Sequence, residues 1–132
     1  MALFSKQSLE TLDGVHPLLV EWAHELIQVI DFKVVSGVRT RATQMQYVSR
    51  GVSKTMNSKH LIQKDGYSHA LDLAPYPVDW SDLRRFYILA GAGLGIADQL
   101  NIPMTWGGRW NPLDDRFKVP SFNDLGHFQI NL

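Results

Sequence analysis

The stretch "SKHLIQKDGYSHALDL", residues 58–73, sets two histidines and an aspartate among apolar neighbours. Ala70, Leu71 and Leu73 read as a short buried strand, and a carboxylate in such a strand is costly unless something pairs with it. Asp72 therefore needs a partner, and His60 and His69 stand beside it. Two more groups are not accounted for by packing: "DLGHF" at 124–128 and "SGVRT" at 36–40. The chain has no cysteine, so any metal must be held by imidazole and carboxylate. A catalytic zinc takes about three protein ligands and keeps one position open. One of the two histidines, Asp72 and His127 would make such a set. Asp124, three residues before His127, can reach a water at the metal without being a ligand. A metal brings the pKa of that water near neutrality, and a carboxylate can then pass its proton to a leaving amine. The spacing is not the helical H-E-x-x-H, and by itself it leaves His60 and His69 as alternatives.

The elements that must position these groups follow from periodicity. A short helix is expected over Ser8–Leu12, closed by Asp13 and Gly14. Pro17 suits a first helical position, and Leu19, Trp22, Ala23, Leu26, Ile27 and Ile30 continue a helical apolar stripe. "FKVVSG" (32–37) reads as a strand. Thr40 can cap a helix to about Ser49 with Ala42, Met45 and Val48 inward, ended by Gly51. "HALDL" is strand-like and "PYP" stops it. Ser81 is then expected to cap a long helix through Leu83, Phe86, Tyr87, Ala90, Leu94 and Ala97. "GAGLG" (91–95) within it is no nucleotide loop, since no strand feeds it; small residues there suit close helix packing. "PMTWGGRW" and "GHFQINL" read as two strands joined by a long turn. The sum is an α+β fold, a single domain over 1–132 with helices packed on a small antiparallel sheet.

With 132 residues the chain can bury a core unaided. Thirteen basic and thirteen acidic residues cancel, which argues against a generic nucleic-acid binder. The balance is uneven, however. Between Asp31 and Asp65 lie Lys33, Arg39, Arg41, Arg50, Lys54, Lys59 and Lys64 and no acid. Such a run is either a solvated surface or a face turned to an anionic substrate. No signal peptide or membrane-length apolar run is read, so synthesis in the cytoplasm without membrane insertion is the expectation.

"SGVRT", "KTMNSKH", "HALDLAP", "WGGRW" and "DLGHFQI" stand in the order and approximate spacing of a known family. The sequence resembles phage endolysins of the D-alanyl-D-alanine carboxypeptidase-like zinc peptidase group, in particular the L-alanyl-D-glutamate peptidases. The resemblance covers nearly the whole chain, including the opening "FSKQSLETLDGVHPLLV". It implies zinc ligands at His60, Asp72 and His127, from the pattern S-x-H-x-x-G-x-A-x-D and from D-x-x-H-F. It implies an acid/base at Asp124 and, from S-G-x-R, a guanidinium at Arg39 that binds substrate and polarises its carbonyl. Ser58 and Trp106 join Arg39 as expected substrate contacts, Trp106 and Trp110 as core or cleft-wall residues. His69 then packs or hydrogen-bonds near the site, and His16 and His24 are surface or helix-end residues.

The chain departs from the pattern in four places. His60 and Asp72 stand twelve positions apart where the motif sets seven, so about five residues are extra, "QKDGY" or its neighbours, in what is expected to be a solvent-facing loop. Ser68 stands for the motif glycine. Arg109 stands where many relatives carry aspartate, and Gly126 replaces a frequent proline.

The function implied is zinc-dependent hydrolysis of the L-Ala–D-Glu bond in the peptidoglycan stem peptide, by a monomer without a separate wall-binding domain, acting on the wall after release from the host cytoplasm and lysing the host. The alternatives are cleavage of D-Ala-D-Ala at the same metal site, or a wall-binding module that keeps the fold without catalysis.

Overall fold

The computed structural model describes residues 2–53, 56–109 and 124–132. Within them four helices and a four-stranded antiparallel sheet form the expected α+β architecture. The helices are α1 (Lys6–Thr11), α2 (Pro17–Ile27), α3 (Arg41–Ser49) and α4 (Leu83–Gln99). The strands are β1 (Phe32–Ser36), β2 (Ala70–Pro75), β3 (Met104–Trp106) and β4 (His127–Ile130), in the order β1-β2-β4-β3.

Alternation along the strands gives the sheet two different faces. Val34, Leu71, Leu73, Phe128 and Ile130 enter the hydrophobic core with Leu19, Trp22 and Leu26 of α2 and Leu89 and Ala90 of α4. Pro17 occupies the first turn of α2, as its fixed φ and missing N–H favour. The glycine-bearing segment of α4 meets α2 closely: a Cβ at Gly93 would stand 2.8 Å from the Trp22 ring. The Trp22 indole in turn donates to the Gly93 carbonyl oxygen at 2.7 Å. Close packing is thus the role of Gly93, whereas Gly91 and Gly95 face open space. The other face of the sheet carries Asp72 and His127, directly opposite each other across the β2–β4 pair.

Three local expectations are corrected. Helix α1 begins at Lys6 because the Ser5 hydroxyl caps it, accepting from Ser8 N–H. Ser8 is buried inside the helix, and its hydroxyl accepts from Val34 N–H on the open edge of β1. Ser81 does not cap α4. Its N–H and hydroxyl both bond to Asp79 Oδ1, and the helix starts after Asp82. In α3, Ala42 and Met45 are exposed and Val48 is only half-buried; the buried residue is Gln44. The inward face of α3 meets the Arg39 guanidinium and the Ser53 hydroxyl rather than apolar side chains, so an amide fits where a methyl would not.

Candidate metal centre and catalytic site

Four segments converge on Asp72. Strand β2 presents its carboxylate from the face opposite the core. Strand β4, paired in register, brings His127 Nδ1 to 3.1 Å from Asp72 Oδ1. The loop before β2 brings His60 Nε2 to 3.0 Å from the same oxygen. The β1 end is turned by a register shift between Val34 and Ser36, a bulge of the kind that re-aims a chain beside a site. It places the Gly37 carbonyl oxygen 2.7 Å from His60 Nδ1. Arg39 follows, its Nη2 3.7 Å from Asp72 Oδ2. His60 and His127 are 2% and 6% exposed, so neither ring is an ordinary loop histidine.

The hydrogen-bond chemistry of the two rings tests whether a metal fits. A carbonyl oxygen only accepts, so His60 Nδ1 carries a proton and Nε2 is left with a lone pair in the neutral ring. His127 Nε2 lies 3.0 Å from Gln129 Oε1, which leaves Nδ1 as its lone pair. Both lone pairs then point at a carboxylate oxygen, an arrangement of acceptors that needs either an extra proton or a cation between them. The ligand atoms of His60, Asp72 and His127 all lie within 4.8 Å of one another. Two imidazole nitrogens and one carboxylate oxygen, converging and buried, fit a divalent metal such as zinc.

The charges respond accordingly. Burial pushes the Asp72 carboxyl up, but the hydrogen bonds and charge of His127 and His60 outweigh it and hold the group well below the usual carboxylate range. Burial pushes the His127 ring down, and the Asp72 carboxylate and Gln129 more than offset this, leaving its pKa raised. Asp124 keeps accessible surface at the rim of the site. Loss of water around its carboxyl, and then the negative charge of Asp72, push it above the ordinary carboxylate range.

Asp124 and His127 belong to one tight turn, with His127 N–H donating to the Asp124 carbonyl oxygen. Asp124 N–H donates to the Gly107 carbonyl oxygen at 2.9 Å. Gly107 permits this approach: a Cβ there would stand 2.1 Å from the Asp124 oxygen. Trp106 is buried, and its indole donates to the Leu125 carbonyl oxygen; it lies on the core side and secures the same turn. Arg109 ends the short 3-10 turn Gly107–Arg109, and Trp110 lies outside the described residues.

Arg39 is held on three sides, by Gln44 Oε1 at 2.8 Å, by Asp72, and by the Tyr47 ring 4.6 Å beneath its guanidinium. It also lines a cleft of about 630 Å³ together with Arg41, Ser58, Lys59 and Lys64. Part of the basic run therefore faces a concavity beside Asp72. Lys54 lies outside the described residues.

His69 is placed elsewhere. Its Nε2 bonds to Asp65 Oδ2 at 2.7 Å, and His16 Nε2 approaches the same oxygen at 3.6 Å. The three are also close enough to share an ion. Here, however, His16 Nδ1 accepts from Leu18 N–H as a helix cap, so its proton lies on Nε2 and faces Asp65. Protons already fill this second cluster, whereas lone pairs meet in the first. The extra residues form a turn closed by Gln63 and Tyr67, and Asp65 ties that turn to His69 and His16. His24 is exposed on α2, edge-on to Phe4.

Gln44, Tyr47, Gln129 and the Gly37 carbonyl were not singled out from the sequence. Gln129 had a signal: it lies two residues after His127, on the same face of a strand whose other residues are buried and apolar.

The α+β fold thus sets a His/Asp/His cluster beside a cleft lined by basic side chains. The chain matches the phage L-alanyl-D-glutamate peptidase family over residues 1–130 and belongs to it. It is 32% identical over 138 residues to the L-alanyl-D-glutamate peptidase of Escherichia phage T5, covering 96% of each chain. The crystal structure of the Serratia marcescens L-Ala D-Glu endopeptidase ChiX is similar, with a TM-score of 0.78 and 31% identity. That match covers 97% of this chain and 89% of the other.

Proposed function

We propose that this chain is a zinc-dependent endolysin that hydrolyses the L-Ala–D-Glu bond of the peptidoglycan stem peptide. The observation that carries this reading is the convergence of His60 Nε2, Asp72 Oδ1 and His127 Nδ1. Those residues would hold the zinc, which when bound supplies a Lewis acid and an acidified water. Asp124, in the turn that leads into His127, takes a proton from the attacking water and delivers it to the leaving amine of D-Glu. Arg39 cannot lose its proton and can donate two hydrogen bonds at once. Held by Gln44 and Tyr47, it orients the scissile carbonyl and opposes the negative charge that develops there. Ser58 and the cations Arg41, Lys59 and Lys64 line the approach and suit the carboxylates of a stem peptide.

The names of both relatives favour the L-Ala–D-Glu bond over D-Ala-D-Ala, and the presence of Asp124 beside His127 favours catalysis over mere wall binding. The reading includes a single catalytic domain over 1–132, acting as a monomer on the wall after release from the host cytoplasm and so lysing the host. No described helix is long and apolar enough to cross a membrane. Chelation should abolish lysis of purified walls, and added zinc should restore it. Full activity in a sample verified as metal-free would reject the zinc role.

A further inference from the structure

We infer that Gln129 is a positioning residue that selects the His127 tautomer able to bind the metal, an inference that rests on the zinc reading above. The two ligand rings are oriented by different means. His60 is fixed by a backbone carbonyl, Gly37 O, which cannot be turned into a donor. His127 is fixed by a side-chain amide, Gln129 Oε1 at 3.0 Å from Nε2, and an amide has two ends. With oxygen toward the ring, the proton sits on Nε2 and Nδ1 offers its lone pair. With NH₂ toward the ring, the proton is forced onto Nδ1 and aimed at Asp72 Oδ1, 3.1 Å away. That second state is a sound His–Asp hydrogen bond, and it closes the lone pair to any metal.

The structure shows the first state. Gln129 Nε2 points to Asn131 Oδ1 at 3.4 Å, and Asn131 Nδ2 donates to Thr105 Oγ1 at 2.7 Å. Thr105 is the register partner of Gln129 on β3. Positions 127, 129 and 131 share one side of the chain, and the β3–β4 register sets Thr105 beside them. Ligand histidines depend on such outer partners for ring orientation and basicity.

The test uses Gln129→Leu, which accepts nothing, and Gln129→Glu, which accepts at either end. Zinc affinity is measured by chelator competition. The His127 ring proton is located by nitrogen NMR in metal-free protein, at a pH above the ring's titration. The leucine variant should bind zinc about 10–100-fold more weakly and lose the Nε2–H signature, with its metal-free melting temperature retained. The glutamate variant should keep both affinity and signature. Should Gln129→Leu fold poorly, Gln129→Lys, which can only donate, gives the same readout and the same expected loss. Wild-type affinity and tautomer in the leucine or lysine variant would overturn the inference. If the wild type itself takes no zinc, the zinc reading falls. The tautomer measurement still decides the role of Gln129: loss of Nε2–H in the variants supports it, and no change refutes it.

Discussion

The His60 ring donates its Nδ1 proton to the Gly37 carbonyl oxygen at 2.7 Å and so turns an unprotonated Nε2 onto Asp72. No such arrangement exists at His69, whose Nε2 is bonded to Asp65. His60→Ala should therefore lose most bound zinc, because a three-ligand site cannot spare one. His69→Ala should keep its zinc, with at most a moderate loss of rate from a looser Asp65 turn. Metal analysis giving the reverse pattern would move the ligand role to His69.

Asp124 tests chemistry apart from metal binding. It is three residues from His127 and outside the converging set, so Asp124→Asn should retain zinc and fold. Turnover should fall by at least about 10²–10⁴-fold, the usual contribution of a general acid–base group. A base must be deprotonated to act, so wild-type activity should decline as pH falls through the Asp124 pKa, and the variant should lack that acid limb. Turnover within a few fold of wild type would assign the base elsewhere, and loss of zinc would make Asp124 a ligand.

How much of this was legible in sequence differs from residue to residue. The α2 stripe and the strands at 32–36 and 70–75 follow from apolar periodicity and overlap the expected spans, although α2 stops at Ile27, short of Ile30, and the second strand runs past Leu73 to Pro75. The inward face of α3 was misread because periodicity assumes an apolar interior, whereas α3 packs on the site. There Gln44 serves Arg39, and Met45 is left at the surface. Ser81 failed as a cap because Asp79, two residues earlier, competes for its hydrogen bonds. Asp72 announced itself as a carboxylate in a buried strand, but spacing could not choose between His60 and His69. That choice came from the family resemblance; in the structure the Gly37 carbonyl oxygen lies against His60 Nδ1 and leaves Nε2 facing Asp72. The role of Asp65 had no sequence signal, since it depends on a contact with His16, far away in the chain.

The coupling of protons to metal gives a pH prediction for the metal-free protein. The Asp72 pKa is depressed from 3.8, so its stabilising contribution is full above that value and is lost as pH falls through the lower folded pKa. The His127 pKa is raised from 6.5, so its contribution is full below 6.5 and is lost as pH rises through the higher folded pKa. The stabilisation from these two groups together should thus be greatest between about pH 4 and about pH 6.5, while Asp124, its pKa raised, contributes less as pH rises through its folded value. Zinc must displace the His127 proton, so the rise in melting temperature on adding zinc should grow with pH above that window. A zinc-induced rise that stays constant from about pH 6 to about pH 8 would contradict this coupling.

The most direct measurement is a mass spectrum of purified peptidoglycan digested by zinc-loaded protein, beside a metal-free control. The account predicts muropeptides that keep only L-Ala on muramic acid, together with released peptides bearing a new D-Glu amino terminus, and neither in the control. Release of free D-Ala without new D-Glu termini, or the same products from the metal-free control, would contradict it.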